Sequence, residues 1–299
     1  MLRQVTWDTK EAATPLDDQA LDVASTSGQI ALFPTAHVEQ WTPGLILYFP
    51  VGCAVAAVRM ALWVAVLLAD AAWLTDNDAA IRVLQAVLGL DIAWRHAERL
   101  PPSRHVMVSN HSTTGDLMVL YSLRRRCVHL VNAALPARVT QGRNSRVLLR
   151  HATKEVYEEL ASPDLTDPVH IFPEGGMTSG AAMMRFSRGF MRFAGALPVV
   201  PVALRADLGP WRIHTHTLTS GFLANLFWFS FPPRVRLEAT VLPSMAPAEG
   251  ESKAQFVERV QQALAAELGV PISDVTLQAK RAVIAGERAK AGQRRGMRR

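Results

Sequence analysis

The segment Asn110-His111-Ser112-Thr113-Thr114-Gly115-Asp116 places an imidazole and a carboxylate five positions apart. Five residues of helix turn the chain through about 500°, which does not stack two side chains. His111 and Asp116 can therefore meet only across a loop, and Ser-Thr-Thr-Gly is loop chemistry. A carboxylate beside an imidazole fixes its tautomer and raises its basicity, which makes it a general base for a hydroxyl.

A second block, Phe172-Pro173-Glu174-Gly175-Gly176, lies about 60 residues further on. Pro173 stiffens the turn, and Gly175 and Gly176 let a backbone approach a ligand closely. Glu174 can accept hydrogen bonds from substrate hydroxyls. Arg185 and Arg188 follow and can hold a phosphate through charge-assisted forks. Either block alone is weakly specific; both at predicted strand ends in one chain are a strong signal.

With these two blocks the sequence resembles the glycerolipid (plsC-like) acyltransferase superfamily, whose members carry N-H-x4-D and F-P-E-G blocks. Leu197-Pro198-Val199-Val200-Pro201-Val202 is similar to the apolar block that follows F-P-E-G there. The resemblance narrows to the ancient ubiquitous protein and lysophosphatidylcholine acyltransferase group. It does so through Gly44-Leu-Ile-Leu-Tyr-Phe-Pro-Val-Gly52 with Val58-Arg-Met-Ala-Leu-Trp63, and through the run Phe256 to Gly269. It covers roughly residues 35–290. It implies a layered α/β acyltransferase fold with an N-terminal membrane-associated helical hairpin. It implies His111 as general base, Asp116 as its partner, and Glu174 and Gly175 at the glycerol-backbone acceptor. The donor it implies is acyl-CoA, a co-substrate, with no cofactor and no metal.

Two departures stand out. Gly176 occupies a place where the superfamily often has Thr. The superfamily's phosphate-binding Arg has no clear counterpart, although Arg138, Arg143 and Arg146 lie in the right interval. The ubiquitin-recruiting segments of the ancient ubiquitous proteins have no counterpart in the matched stretch.

The elements that must position these residues follow from pattern. Asn77 or Asp78 caps a helix carrying Ile81, Leu84, Val87 and Leu88. Strands are predicted at 105–109, 127–132, 169–172, 197–204 and 234–242. Helices are predicted at 117–123, over 144–160, and at Phe256, Val257, Val260, Leu264 and Leu268. Such alternation is α/β. The chain divides into a flexible leader (1–32), a membrane-embedded hairpin (33–75), an acyltransferase domain (76–250), and an amphipathic helix with a basic tail (251–299).

Composition fits a body at a membrane. The 299 residues are 49% hydrophobic and 19% charged, with a mean hydropathy of +0.11. Whole-chain disorder is excluded by that apolar content. Residues 280–299 hold eight Lys or Arg and one Glu, leaving −1 over the other 279 residues of a chain whose net charge is +6. A charge confined to a tail argues against a nucleic-acid-binding face; the tail suits anionic lipid instead. Gly44 to Val58 is uncharged, Arg59 interrupts, and Met60 to Ala69 continues. Pro50 and Gly52 break the first turns. The joined segment reads as a membrane-embedded helix or a re-entrant hairpin that enters and leaves on one side, with a buried core helix or a single span as the alternatives. Cys53 and Cys127 are too few for a disulfide framework, and the first 30 residues have no signal-peptide pattern. His214-x-His216 has metal-ligand spacing but lacks a third ligand. The aromatic run Gly221–Phe231 is either core or an interfacial surface.

The functional expectation is acyl transfer from acyl-CoA to a lysophospholipid or glycerol phosphate, on the cytosolic face of the endoplasmic reticulum or lipid droplets. The rival is a catalytically silent scaffold at the same membranes. The absence of a G-x-S-x-G elbow speaks against a serine lipase.

Overall fold

In the computed structural model, which describes residues 32–68, 76–123, 125–131 and 146–296, apolar alternation resolves into seven strands. They are β1 (Leu90–Arg95), β2 (Val106–Ser109), β3 (Cys127–Val131), β4 (Val147–His151), β5 (Val169–Ile171), β6 (Val199–Asp207) and β7 (Val235–Val241). One sheet forms in the order β1-β7-β6-β2-β5-β3-β4. The five strands from β6 to β4 run parallel; β7 is antiparallel to β6 and parallel to β1. The leader, save Leu32, lies outside the described residues, as do Arg138 and Arg143.

Strand alternation sorts side chains to the two faces. Val106 and Val108 of β2 face one core, and Met107 faces the other. The first core is closed by α7 (Lys253–Leu268) through Phe256, Val260 and Leu264, with the short α4 (Lys154–Leu160) and α5 (Met191–Ala194). The second is closed by α2 (Asp78–Val87), α3 (Met118–Tyr121) and α6 (Phe222–Ser230). Two caps explain where helices start. Asn77 Oδ1 accepts the N–H groups of Ala79 and Ala80, and Ser252 with Gln255 forms a capping box before α7. α8 (Leu277–Gly296) follows α7.

Two expectations are corrected. The helix expected over 144–160 is a strand followed by a helix. Val147-Leu148-Leu149 extends the sheet beside β3, and only after Thr153, whose hydroxyl caps Val156 N–H, does α4 begin. A short apolar run suits either state until pairing decides it. The second concerns the apolar segment. Between Pro43 and Leu68 the chain makes one helix, α1, of 26 residues and does not turn back at Pro50. Proline removes one helical N–H, and packing against α6 carries the helix through it; residues 69–75 lie outside the described residues.

α1 is buried along one stripe only: Leu45, Gly52, Ala56 and Arg59. Arg59, the charge that interrupts the apolar run, points into protein. Its guanidinium donates to the carbonyls of Ser230, Pro232 and Pro233 at 3.0, 2.6 and 2.9 Å, and to Val87 O at 3.3 Å. These carbonyls sit where α6 and α2 end, so one cation satisfies acceptors that helix ends leave orphaned. The outer face of α1 carries exposed Ile46, Leu47, Val51 and Val58, and neighbouring α6 exposes Phe222 and Leu223.

Replacing Arg59 by Met keeps the apolar stem and strands these carbonyls. The expected cost is roughly 2–4 kcal/mol, read as a fall in Tm on the order of 5–15 °C in detergent micelles. An unchanged Tm would show that the buried cation does not hold the two helix ends.

Candidate active site

The loop that carries His111 begins where β2 ends, and Asn110 fixes that point. Its side chain accepts Leu204 N–H at 2.7 Å and donates to Leu204 O at 2.8 Å, so an amide stands in for one more residue of β2–β6 pairing. The next residue, His111, leaves the sheet. Its Nδ1 lies 3.0 Å from Asp116 Oδ2. The same oxygen accepts Ser112 N–H at 2.6 Å and Thr113 N–H at 2.9 Å, and Asp116 Oδ1 accepts the Thr113 hydroxyl. The loop predicted between the two residues therefore exists, and it wraps one carboxylate that is almost fully buried.

A carboxylate receiving that many donors accepts only, so His111 carries its proton on Nδ1 and leaves a lone pair on Nε2. The ring stacks on Phe172, centroids 4.1 Å apart and planes within 5°. Its side chain keeps 21% of its surface exposed while Asp116 keeps 1%. A base open to substrate and a buried partner is the division of labour that proton abstraction requires.

Gly115 is forced by packing. A Cβ there would lie inside the ring of Phe229, on α6. The aromatic run is thus partly core, and Phe229 sets the outer wall of the loop.

Glu174, expected to accept hydrogen bonds from substrate hydroxyls, has both oxygens on backbone N–H groups. Its Oε1 accepts His111 N–H and its Oε2 accepts Met184 N–H, both at 2.8 Å. It is fully enclosed and clamps the His111 loop to the strand-like segment at 184. Burial is the main cause that lifts its carboxyl from an ordinary 4.5 to about 8; the two N–H groups pull the other way and the Asp116 charge adds to the rise. Gly175 takes the left-handed conformation, φ 71°, and turns the chain after Glu174. At Gly176 an added Cβ would meet Leu277 Cδ1 at 3.3 Å and Lys280 Nζ at 3.6 Å, both from α8. Arg185 and Arg188 are exposed and precede α5 in irregular chain. Arg146, one of the three interval arginines, is committed elsewhere. It pairs with Asp78 at 2.6 Å and donates to the carbonyls of Asp76 and Tyr121.

Several neighbours have no local sequence pattern. Behind Phe172, His129 Nδ1 and His170 Nδ1 share a 2.8 Å contact, and His170 Nε2 reaches Ser109 Oγ at 3.0 Å. Burial drives His129 down to about 3 and depresses His170 as well, so the pair is neutral. Both rings meet Phe172 edge-on. Lys280, counted with the basic tail on sequence, is 6% exposed. Its ammonium donates to Met177 O at 2.5 Å, approaches His216 Nε2 at 3.1 Å and lies 4.8 Å from the centre of the Phe33 ring. Burial lowers it to about 8. His214 is held by Glu39 at 2.7 Å. The two histidines of the His-x-His pair thus have separate partners, and among the described residues no group of three metal-ligating side chains occurs.

Comparison with known proteins gives likenesses at the level of family, sequence and fold. A family model described as Acyltransferase matches residues 91–205. The chain is 29% identical over 244 residues to the lipid droplet-regulating VLDL assembly factor AUP1 of Danio rerio, covering 78% of this chain and 56% of that protein. It is 28% identical over 268 residues to the Caenorhabditis elegans homolog, covering 82% and 65%. It is 24% identical over 219 residues to glycerol-3-phosphate acyltransferase 3 of Danio rerio, covering 66% and 46%. The chain therefore spans less than two thirds of the length of each of these relatives. Among solved structures, the Thermotoga maritima 1-acyl-sn-glycerophosphate acyltransferase PlsC superposes with a TM-score of 0.51 at 14% identity, over 73% of this chain and 96% of that one. That likeness is one of fold.

The raised Glu174 carboxyl has a measurable consequence. An acid whose folded value exceeds its unfolded one lends stability that is full below the unfolded value and is lost as pH rises through the folded one. The Glu174 contribution to stability should fall between pH 4.5 and about 8, so the margin of the native protein over Glu174→Gln, which cannot ionise, should shrink across that range. Denaturant midpoints across this range check it; parallel profiles for the two proteins would contradict the assignment.

Proposed function

We propose, on the match of residues 91–205 to the Acyltransferase family model, that the protein is a membrane-bound O-acyltransferase of the plsC-like superfamily. It moves a fatty acyl group from acyl-CoA to the hydroxyl of a lysophospholipid or glycerol phosphate. The observation that carries this reading is the His111–Asp116 pair, with Nδ1 fixed by a buried carboxylate and the ring partly open.

The chemistry closes on these groups. His111 Nε2 takes the proton of the acceptor hydroxyl as its oxygen attacks the thioester carbonyl. The tetrahedral adduct collapses with cleavage of the C–S bond, and the thiolate of CoA recovers the proton from Nε2. Asp116 stabilises the imidazolium between the two transfers. The acyl group passes directly from donor to acceptor, without an enzyme nucleophile. Glu174 holds the loop in register from behind.

The outer face of α1, with Phe222 and Leu223 of α6 beside it, supports a site at a lipid surface. A single helix buried along one stripe and apolar on the other suits lying in the membrane with the domain at its side. The relatives named for lipid-droplet regulation support the cytosolic face of lipid droplets or the endoplasmic reticulum, and the basic residues beyond 280 suit anionic lipid there. Those names also favour a second reading, a scaffold with this fold that binds lipid without turnover.

One assay separates the two. Purified protein with labelled acyl-CoA and a panel of lysophospholipids and glycerol phosphate should show transfer, and His111→Ala should lower turnover by roughly 10²–10⁴-fold. Activity that survives the substitution would refute the mechanism; acyl-CoA binding with no turnover by the native protein would establish the scaffold. Separately, replacing Ile46, Leu47 and Val58 together by Glu should weaken partition into phosphatidylcholine vesicles by more than about tenfold with Tm unchanged. Equal partition would place the membrane face elsewhere.

A further inference from the structure

Two histidines stand where the transfer mechanism does not call for them. The face of the sheet that carries Met107, Cys127 and Phe172 is packed with apolar side chains. Yet β3 brings His129 to it and β5 brings His170, paired in register, and both are almost fully buried. A buried polar ring costs free energy unless it is hydrogen-bonded, and a leucine would fill either place without that cost. What a hydrogen bond adds is direction.

The bonds run as a chain. His129 Nδ1 meets His170 Nδ1 at 2.8 Å, and His170 Nε2 meets Ser109 Oγ at 3.0 Å. Burial above all keeps both imidazoles neutral, so each has one N–H and one lone pair. The chain closes in either direction. If His129 donates to His170, then His170 Nε2–H donates on to Ser109; if Ser109 donates to His170, then His170 Nδ1–H donates on to His129. Three neighbouring strands, β3, β5 and β2, are thereby tied close to where their loops leave.

Sequence position decides what the chain controls. Ser109 lies two residues before His111, and His170 lies two residues before Phe172. Those two rings form the stack on which the base is presented, 4.1 Å apart and within 5° of parallel. The buried imidazoles also pack on Phe172 directly, His170 at 4.6 Å and 88°, His129 at 5.0 Å and 70°. Asp116 fixes one atom of His111, and a ring held at one atom can still swing about it. The face of Phe172 removes that freedom, and it favours the imidazolium once His111 has taken a proton.

We propose that the His129–His170–Ser109 chain positions the base. It holds Phe172 and the end of β2 in the one relation that stacks His111, and so aims Nε2 at the acceptor hydroxyl. Both histidines act through Phe172 and Ser109, so they are positioning residues. The effect on rate rests on the transferase reading; the stack itself is measured without turnover.

The test uses the full chain in micelles, with isotope-labelled histidine observed by NMR. Ring current shifts a proton upfield when it lies over an aromatic face. The His111 ring C–H signals, assigned by their loss in His111→Ala, therefore report the stack. Replacing both partners, His129→Leu with His170→Leu, leaves no orphan polar ring. Ser109→Ala, which deletes a single oxygen, decides the matter if the double variant does not fold. In each variant that folds by Tm, the His111 signals should lose part of their upfield shift. The kcat of acyl transfer should fall roughly ten- to hundredfold, with KM for acyl-CoA and for the acceptor unchanged. Native His111 signals in a folded variant, a native kcat, or a KM that rises as kcat falls would overturn the positioning role. If the native protein transfers no acyl group, the transferase reading fails, and the His111 signals alone decide this one.

Discussion

The site is organised around a single buried carboxylate. Asp116 sits where no water can reach it, and an ionised group in such a place needs donors from the protein. Four are drawn from three residues within one turn of loop: His111 Nδ1, two backbone N–H groups and the Thr113 hydroxyl. The loop's shape follows from meeting that need. His111 must come within reach of Oδ2, the backbone at Ser112 and Thr113 must point inward, and Gly115 must be bare so that α6 can close over it. Glu174 repeats the device from the opposite side, with one carboxyl joining His111 N–H to Met184 N–H. The His111 ring is thus held by its Nδ1, its own backbone N–H and the face of Phe172.

Arg59 obeys the same rule with the sign reversed. An arginine in the middle of an apolar helix would be costly in lipid, and here it is not in lipid. It turns inward and collects carbonyls from two helix ends, so the residue that looked like a defect in a membrane segment is what fastens that segment to the domain. One consequence is directional. The stripe containing Arg59 faces protein, so the apolar residues on the other side of α1 face outward, and Phe229, on the α6 that Arg59 anchors, is also the residue against Gly115. The apolar helix α1 and the His111–Asp116 loop are held by the same short helix.

How much of this was legible in the sequence depended on range. The central strands were readable because β-branched runs bounded by turns can be little else, and Asn77 announced a helix because capping is local. The loop between His111 and Asp116 followed from simple geometry. Val147-Leu148-Leu149 was not readable as a strand, since three apolar residues acquire a state only from a partner and that partner, β3, lies some 20 residues away. Pro50 and Gly52 suggested a break because local propensity does not include packing against α6. The F-P-E-G block pointed to Glu174 as an acceptor for substrate hydroxyls, while its two backbone partners, 63 and 10 residues away, come only from the fold. The His129–His170 pair and Lys280 have no local signature whatever.

Lys280 bears on one of the two departures from the family pattern. Gly176 stands where a side chain is often found, and the space a Cβ would need is taken by Leu277 and Lys280 of α8. The bare Gly176 is thus flanked by two side chains of the C-terminal helix. The Lys280 ammonium has no carboxylate within ion-pair reach among the described residues; Glu174 influences it only at longer range. Its immediate partners are a carbonyl, an imidazole lone pair and an aromatic face. Such an environment tolerates the cation while committing its donors, which is why Lys280 is poorly placed to grip a substrate itself. The basic stretch near the C-terminus therefore does not begin as a detached tail. Its first residue, Lys280, is built into the wall of the site, and the rest of α8 extends from that anchor.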